Sequence, residues 1–270
     1  MKESFQAHPI IHAEKALPIT DVLKLEPKLQ DYLIQENPPK IDLGNSSALR
    51  LYNLAVLKAK YGLEIVLPDK TLIPTPGIRY SFLKHMLADL DPENTILEIG
   101  TGASAVLAMM AAKCFGYAIT ATEMGESLKW ANKNIRLNEL TNKINVLDSQ
   151  GSILQDLSLD LSFSLIFSYP PLYSDTETVK ITQKDRGFLG VKHELIGGGK
   201  EGEKFIIQLI KESKSSPILK KGGTLALLLI PSQQRDQIIL KTLKEVGMEV
   251  RLTTLLAGTR KRIILEAIKQ

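Results

Sequence analysis

Beyond Asp91-Pro92-Glu93-Asn94 the chain alternates short apolar runs with amphipathic stretches, the pattern of a largely parallel sheet wound with helical crossovers. The apolar runs predict strands at 95–99, 117–122, 144–147, 161–167, 224–230, 249–256 and 262–267. Period-3.6 stretches between them predict helices at 104–115, 126–138, 201–213 and 232–246, the last closed by Gly247 in a favoured C-terminal position. Because only Ala257-Gly258-Thr259-Arg260-Lys261 separates the final two runs, they read as an antiparallel hairpin.

Upstream, from Leu17 to about Leu87, the pattern is mostly helical and is punctuated by Pro18, Pro27, Pro38-Pro39, Pro68 and Pro74-Thr75-Pro76. Ser46-Ser47 offers a cap for a helix with Leu49, Tyr52, Leu54, Val56, Leu57 and Tyr61 at helical spacing. Lys15, Lys24, Lys28, Lys40, Arg50, Lys58 and Lys60 interleave with Tyr32, Tyr52 and Tyr61, which suits either a nucleic-acid surface or an ordinary solvated face.

Composition narrows the class without choosing a function. A chain of 270 residues with 44% hydrophobic and 24% charged positions can hold a catalytic domain and a smaller appendage. It has neither a membrane-length apolar run nor a signal-peptide core, so the expectation is a cytoplasmic protein. The single cysteine, Cys114, excludes an intramolecular disulfide and a multi-thiolate zinc site. His8, His12, His85 and His193 have no metal-site spacing, and no metal is expected. A net charge of +4 permits a polyanionic partner without requiring one.

The chemistry begins at Leu97-Glu98-Ile99-Gly100-Thr101-Gly102. Two glycines between a strand and a helix let the backbone turn tightly and bring helix N–H groups to a ligand. Ser104, at a frequent third-glycine position, is a candidate cap for that helix. Glu98 sits one residue before the strand end, suited to the methionine end of a cofactor or to solvent. Glu123, about twenty residues after the turn, ends the second strand where a carboxylate accepts both ribose hydroxyls. Asp148 follows the third strand and suits either an adenine amine or a tight turn. These positions alone do not separate a nicotinamide dehydrogenase from an S-adenosylmethionine enzyme.

The fourth strand makes that separation. Ser168-Tyr169-Pro170-Pro171-Leu172-Tyr173 follows a buried run at the edge where α/β sites assemble, and it resembles the Asn/Asp/Ser-Pro-Pro-aromatic motif of amino-group methyltransferases. Around it, Ile41-Asp42-Leu43, Tyr61-Gly62-Leu63-Glu64-Ile65, Leu72-Ile73-Pro74-Thr75-Pro76-Gly77-Ile78-Arg79, Glu98 to Ser104, Ala121-Thr122-Glu123 and Gly197-Gly198-Gly199-Lys200-Glu201-Gly202-Glu203 share one order and spacing. Over roughly residues 40 to 215 this resembles the RNA adenine-N6 methyltransferase family of ribosomal RNA large-subunit methyltransferase F and methyltransferase-like protein sixteen, as a divergent or archaeal-type member.

The resemblance implies S-adenosyl-L-methionine as cofactor and structured RNA as partner, with a role in RNA methylation such as ribosomal RNA processing. It implies that Arg79 reaches the cofactor carboxylate and that Ser168, Tyr169, Pro170 and Pro171 face the acceptor amine. It also marks a departure, since Tyr169 stands at the family's Asn position and Leu172 at its aromatic position. The expected architecture is α/β, a Rossmann-like class I methyltransferase: a seven-stranded, mostly parallel sheet with an antiparallel C-terminal hairpin. The division is a helical substrate-binding region over 1–74 and a methyltransferase domain over 75–270, with cofactor contacts at Arg79, Glu98, Gly100, Thr101, Gly102, Ser104, Glu123 and Asp148. The long polar segment 174–200, with Lys180, Lys184, Arg186 and Lys192, reads as a substrate loop. Two readings stand beside this one: methylation of a protein glutamine or small molecule, and a non-catalytic RNA-binding module on the same fold.

Overall fold

The chain was analysed as a computed structural model that describes residues 8–69, 71–155, 157, 162–174 and 192–270. Lys180, Lys184 and Arg186 of the expected substrate loop therefore lie outside the described residues.

Five parallel strands form one side of the sheet: β4 (Ile96–Ile99), β5 (Ile119–Glu123), β6 (Ile144–Asp148), β7 (Phe163–Ser168) and β8 (Leu219–Leu229). The hairpin β9 (Met248–Ala257) and β10 (Arg260–Lys269) extends it, with β10 antiparallel to both β8 and β9. With β1 (Ile10–His12) at one edge, the sheet order is β1-β9-β10-β8-β7-β4-β5-β6. From β4 the chain winds outward to β5 and β6, then returns to place β7 on the other side of β4. The crevice above β4 and β7 is thus the topological switch point, where open α/β sheets bind ligands.

Among the described residues the sheet has eight strands rather than the expected seven. The additional one, β1 (Ile10–His12), pairs in parallel with β9, Ile10 opposite Thr254 and His12 opposite Leu256. Three residues are too few to display an alternating pattern, and its partner lies at the far end of the chain, so local periodicity carried no sign of it. β1 comes from the N-terminal portion but belongs to the main sheet.

The rest of that portion comprises α1 (Ile19–Leu25), a 3-10 turn (Pro27–Tyr32), a small hairpin of β2 (Leu33–Gln35) and β3 (Lys40–Ile41), α2 (Ser46–Tyr61) and α3 (Pro76–Leu87). The cap of α2 is Asn45 rather than Ser46-Ser47: its side-chain oxygen accepts Ser47 N–H at 2.9 Å and Ala48 N–H at 3.2 Å. An extended Asn places its short acceptor over the open first turn, and both serines fall inside the helix. Gly62, at φ 65°, closes α2 in the left-handed conformation.

Helices α4 (Val106–Cys114), α5 (Gly125–Leu137), α6 (Lys192–Leu195), α7 (Lys204–Ser215) and α8 (Gln233–Glu245) complete the crossovers. Alternate residues of the strands feed two separate cores. Leu165, Phe167, Ala226 and Leu228 pack with α2, α3 and α4, whereas Ile166, Leu225, Leu227 and Leu229 pack with α7 and α8. Both faces of the sheet are covered, which explains why β7 and β8 read as continuous apolar runs. No helix among the described residues is long and apolar enough to cross a membrane.

Candidate functional site

A cavity of about 370 Å³ opens at the switch point. The turn after β4 forms its floor, with Gly100 at φ 71° and Gly102 at φ 69°; a Cβ on either would meet no protein atom within 4 Å and would stand in open space. The turn is tied to the neighbouring strand, because Gly100 N–H and Thr101 N–H both donate to the Thr122 carbonyl, at 3.1 and 3.0 Å. Ser104 lies on the cavity wall but does not cap α4. Ala105 holds the cap position at φ 49° without any side-chain bond, so the helix starts later than expected.

Two carboxylates line this floor. Glu123, at the tip of β5, accepts Gly102 N–H at 2.5 Å and Met124 N–H at 3.0 Å. Glu98 is 1% exposed and accepts from the Thr101 hydroxyl at 2.8 Å. Burial pushes its pKa up to about 8, helped by the nearby Glu123 and opposed by the Thr101 hydroxyl, a backbone bond and Arg79. The solvent-facing alternative for Glu98 does not describe this residue.

Arg79, from the first turns of α3, is buried beside Glu98 with its guanidinium 4.9 Å from the centroid of the Tyr169 ring. Burial lowers its pKa, against the attraction of Tyr169 and Glu98. Arg262 of β10 donates Nε–H to the Tyr169 hydroxyl at 3.0 Å. Tyr169 is therefore held by two arginines from separate elements. Asp148 points elsewhere: it is exposed and its carboxylate accepts Gln150 N–H at 3.0 Å, while Ser149, Gly151 and Ser152 of the same turn reach the cavity.

The segment after β7 forms the opposite wall. Ser168 is buried and donates its hydroxyl to the Ile99 carbonyl at 2.8 Å, joining the ends of β7 and β4. Tyr169 and Pro171 line the cavity, and Pro170 is buried behind them. The turn rests on Gly197 and Gly202. A Cβ on Gly202 would fall 2.1 Å from the Leu172 carbonyl oxygen, and one on Gly197 would fall 2.5 Å from that of Pro171. The two segments also exchange backbone bonds, from Tyr173 N–H to Leu195 and from Gly197 N–H to Tyr173, each at 2.9 Å. Arg235 of α8 adds a bond to the Leu172 carbonyl at 2.8 Å.

Reading by motif missed Arg235, Glu194 and Asn134. Glu194 lines the cavity and accepts from the Thr71 hydroxyl at 3.0 Å and from Leu72 N–H at 3.1 Å. None of the three sits in a strand-end motif, and their roles depend on contacts across 31 or more residues of chain.

The site presents an acid at the second strand tip, a glycine-lined floor, a buried cation and a proline-paired wall. That set fits a zwitterionic nucleoside cofactor facing a planar acceptor. The chain is 36% identical over 262 residues to a putative methyltransferase of Methanocaldococcus jannaschii, covering 94% of this chain and 98% of that protein. It is 28% identical over 191 residues to the U6 small nuclear RNA (adenine-(43)-N(6))-methyltransferase of Schizosaccharomyces pombe, covering 65% of this chain and 49% of that protein, so it spans about half of that relative's length. Its fold matches the N-terminal domain of human METTL16 solved in complex with SAH, at a TM-score of 0.75 and 19% identity over 96% of this chain and all of that domain. The family model described as RNA methyltransferase matches residues 2–265, and the chain belongs to that family.

Proposed function

We propose that this enzyme transfers a methyl group from S-adenosylmethionine to the N6 amine of an adenine in structured RNA. The observation that carries this reading is one cavity in which Glu123 and Gly102 face the Ser168–Pro171 wall. The family membership and the name of the fission yeast relative support RNA and adenine N6 as the target.

The residues fit the cofactor. Glu123 has two carboxylate oxygens for the ribose hydroxyls, and the glycine floor leaves room for the ligand. The Ser149–Ser152 turn beyond Asp148 meets the adenine edge, Gly100, Thr101 and Ser104 flank the ligand, and Arg79 with Glu98 addresses the carboxylate and ammonium of its methionine end. The cofactor supplies an electrophilic methyl group on a sulfonium, and this requires neither a nucleophilic side chain nor a metal from the protein.

The protein's contribution is positioning. The Pro170 carbonyl and the Ser168 hydroxyl oxygen accept from the target amine and aim its lone pair at the methyl group, and the flat Tyr169–Pro171 surface takes the base. The bond between Ser168 and Ile99 fixes the distance between the acceptor wall and the cofactor floor. After transfer the amine loses one proton to solvent. The 1–74 region, which carries Lys15, Lys24, Lys28 and Lys58, binds the RNA around the target.

A crystal structure with S-adenosylhomocysteine tests this arrangement. Ribose hydroxyls bonded to Glu123 and a thioether facing Pro170 are expected, while a ligand seated elsewhere removes the assignment.

A further inference from the structure

Residues 63 to 67 run across α5 outside any sheet, yet they show strand-like alternation. Leu63, Ile65 and Leu67 are buried, and Glu64 and Val66 are not. A strand segment with one polar side of its backbone unpaired needs partners. Here two asparagine side chains supply them. Asn134 accepts Val66 N–H at 2.9 Å and donates to the Val66 carbonyl at 3.0 Å. Asn138 accepts Glu64 N–H at 2.9 Å and donates to the Glu64 carbonyl at 2.6 Å.

The geometry explains the pairing. Positions i and i+4 of a helix lie about 6 Å apart along its axis, and positions i and i+2 of an extended chain lie about 6.6 Å apart. Two asparagines one turn apart thus match alternate residues of the segment, each amide imitating the donor and acceptor of a neighbouring strand.

Asn134 does more than hold the segment. It is fully buried, and its second N–H donates to the Ala103 carbonyl at 2.9 Å. Ala103 belongs to the glycine turn and lines the cavity. The segment itself continues to Thr71 and Leu72, which Glu194 holds at the cavity wall. One side chain therefore joins the cofactor floor to the chain that leads from α2 to the acceptor side.

We infer that Asn134 is a positioning residue that couples the cofactor turn to the substrate-side segment 63–67, so that binding at Ala103 stiffens the backbone at Val66. This rests on the cofactor reading above. Occupancy of the turn restricts Ala103, Ala103 restricts the Asn134 amide, and the same amide restricts Val66. Any substrate contact made by the N-terminal portion then strengthens when the cofactor is present, and by reciprocity the converse holds.

Amide hydrogen exchange on the full chain, with and without S-adenosylhomocysteine, tests this. In the wild type the ligand slows exchange at Val66 by about fivefold or more, the low end of ordinary coupling between sites. Asn134→Asp, in its ionised form, keeps an acceptor for Val66 N–H but has no donor for the carbonyls of Val66 and Ala103, so the Val66 N–H bond keeps its basal protection and the ligand response vanishes. Asn138→Ala, which leaves the Ala103 bond in place, loses protection at Glu64 and keeps the response at Val66. Bound ligand with no response at Val66 in the wild type, or an undiminished response in Asn134→Asp, overturns the coupling alone. Failure of the wild type to bind S-adenosylhomocysteine overturns the cofactor reading and this inference together.

Discussion

The Glu123 carboxylate accepts the Gly102 backbone N–H at 2.5 Å, tying the tip of β5 to the glycine turn that follows β4. The acid proposed to bind the ribose therefore also shapes the glycine floor beside it. Glu123→Ala removes both effects, and calorimetry with S-adenosylhomocysteine should show affinity weakened by about 1.5 to 3 kcal/mol, the scale of charged hydrogen bonds. Unaltered affinity would remove Glu123 from the site.

Ser168 reports on the opposite wall. Its hydroxyl bridges the ends of β7 and β4 through the Ile99 carbonyl, so Ser168→Ala costs about 0.5 to 1.5 kcal/mol of stability and lets the acceptor wall shift. Turnover should fall at least tenfold while S-adenosylhomocysteine affinity stays within about threefold. An equal loss in both measurements contradicts the assignment of Ser168 to the acceptor side.

Gly202 makes a sharper case, because its near neighbour is backbone. A methyl group there meets the Leu172 carbonyl at 2.1 Å, and the residue sits at φ 77°, which side chains seldom adopt. Gly202→Ala should destabilise the protein by about 1 to 3 kcal/mol and displace the Pro170–Leu172 turn, with turnover losing more than cofactor affinity. Thermal unfolding and single-turnover rates read the two effects separately.

Glu98 gives the protein a distinctive pH response. Its folded pKa, about 8, lies above the ordinary carboxylate value of 4.5, so between those pH values the folded state holds a proton that the unfolded state has released. Stability from this group therefore declines as pH rises across the window, by up to about 1.4 kcal/mol per pH unit, and flattens above pH 8. Urea titrations of the wild type and Glu98→Gln at pH 5 to 8 should differ by this slope. Parallel curves would show that Glu98 is ionised throughout.

The central elements were legible because their local pattern and their tertiary role coincide. β4, β7 and β8 are apolar on both faces, and the glycines at 100 and 102 are required by left-handed backbone. The position of Glu123 at the tip of β5, beside the glycine turn, was readable by its spacing. β1 was not, since three residues cannot show a period and its partner is β9. The α2 cap was misplaced by one or two positions because Asn45 and the serines are all good caps, and only the extended backbone at Asn45 chooses between them. Asn134, Glu194 and Arg235 remained silent for another reason: each bonds to a backbone far away in the chain, and no local pattern encodes that.

The most direct test of methyl transfer to adenine N6 is nucleoside mass spectrometry. Purified enzyme is incubated with RNA from cells lacking the gene and with S-adenosylmethionine carrying a deuterated methyl group, and the RNA is then digested. The label is predicted in N6-methyladenosine for the wild type, with its initial rate of incorporation falling at least about tenfold in Ser168→Ala. Label in a different nucleoside, or none with the wild type, contradicts the account.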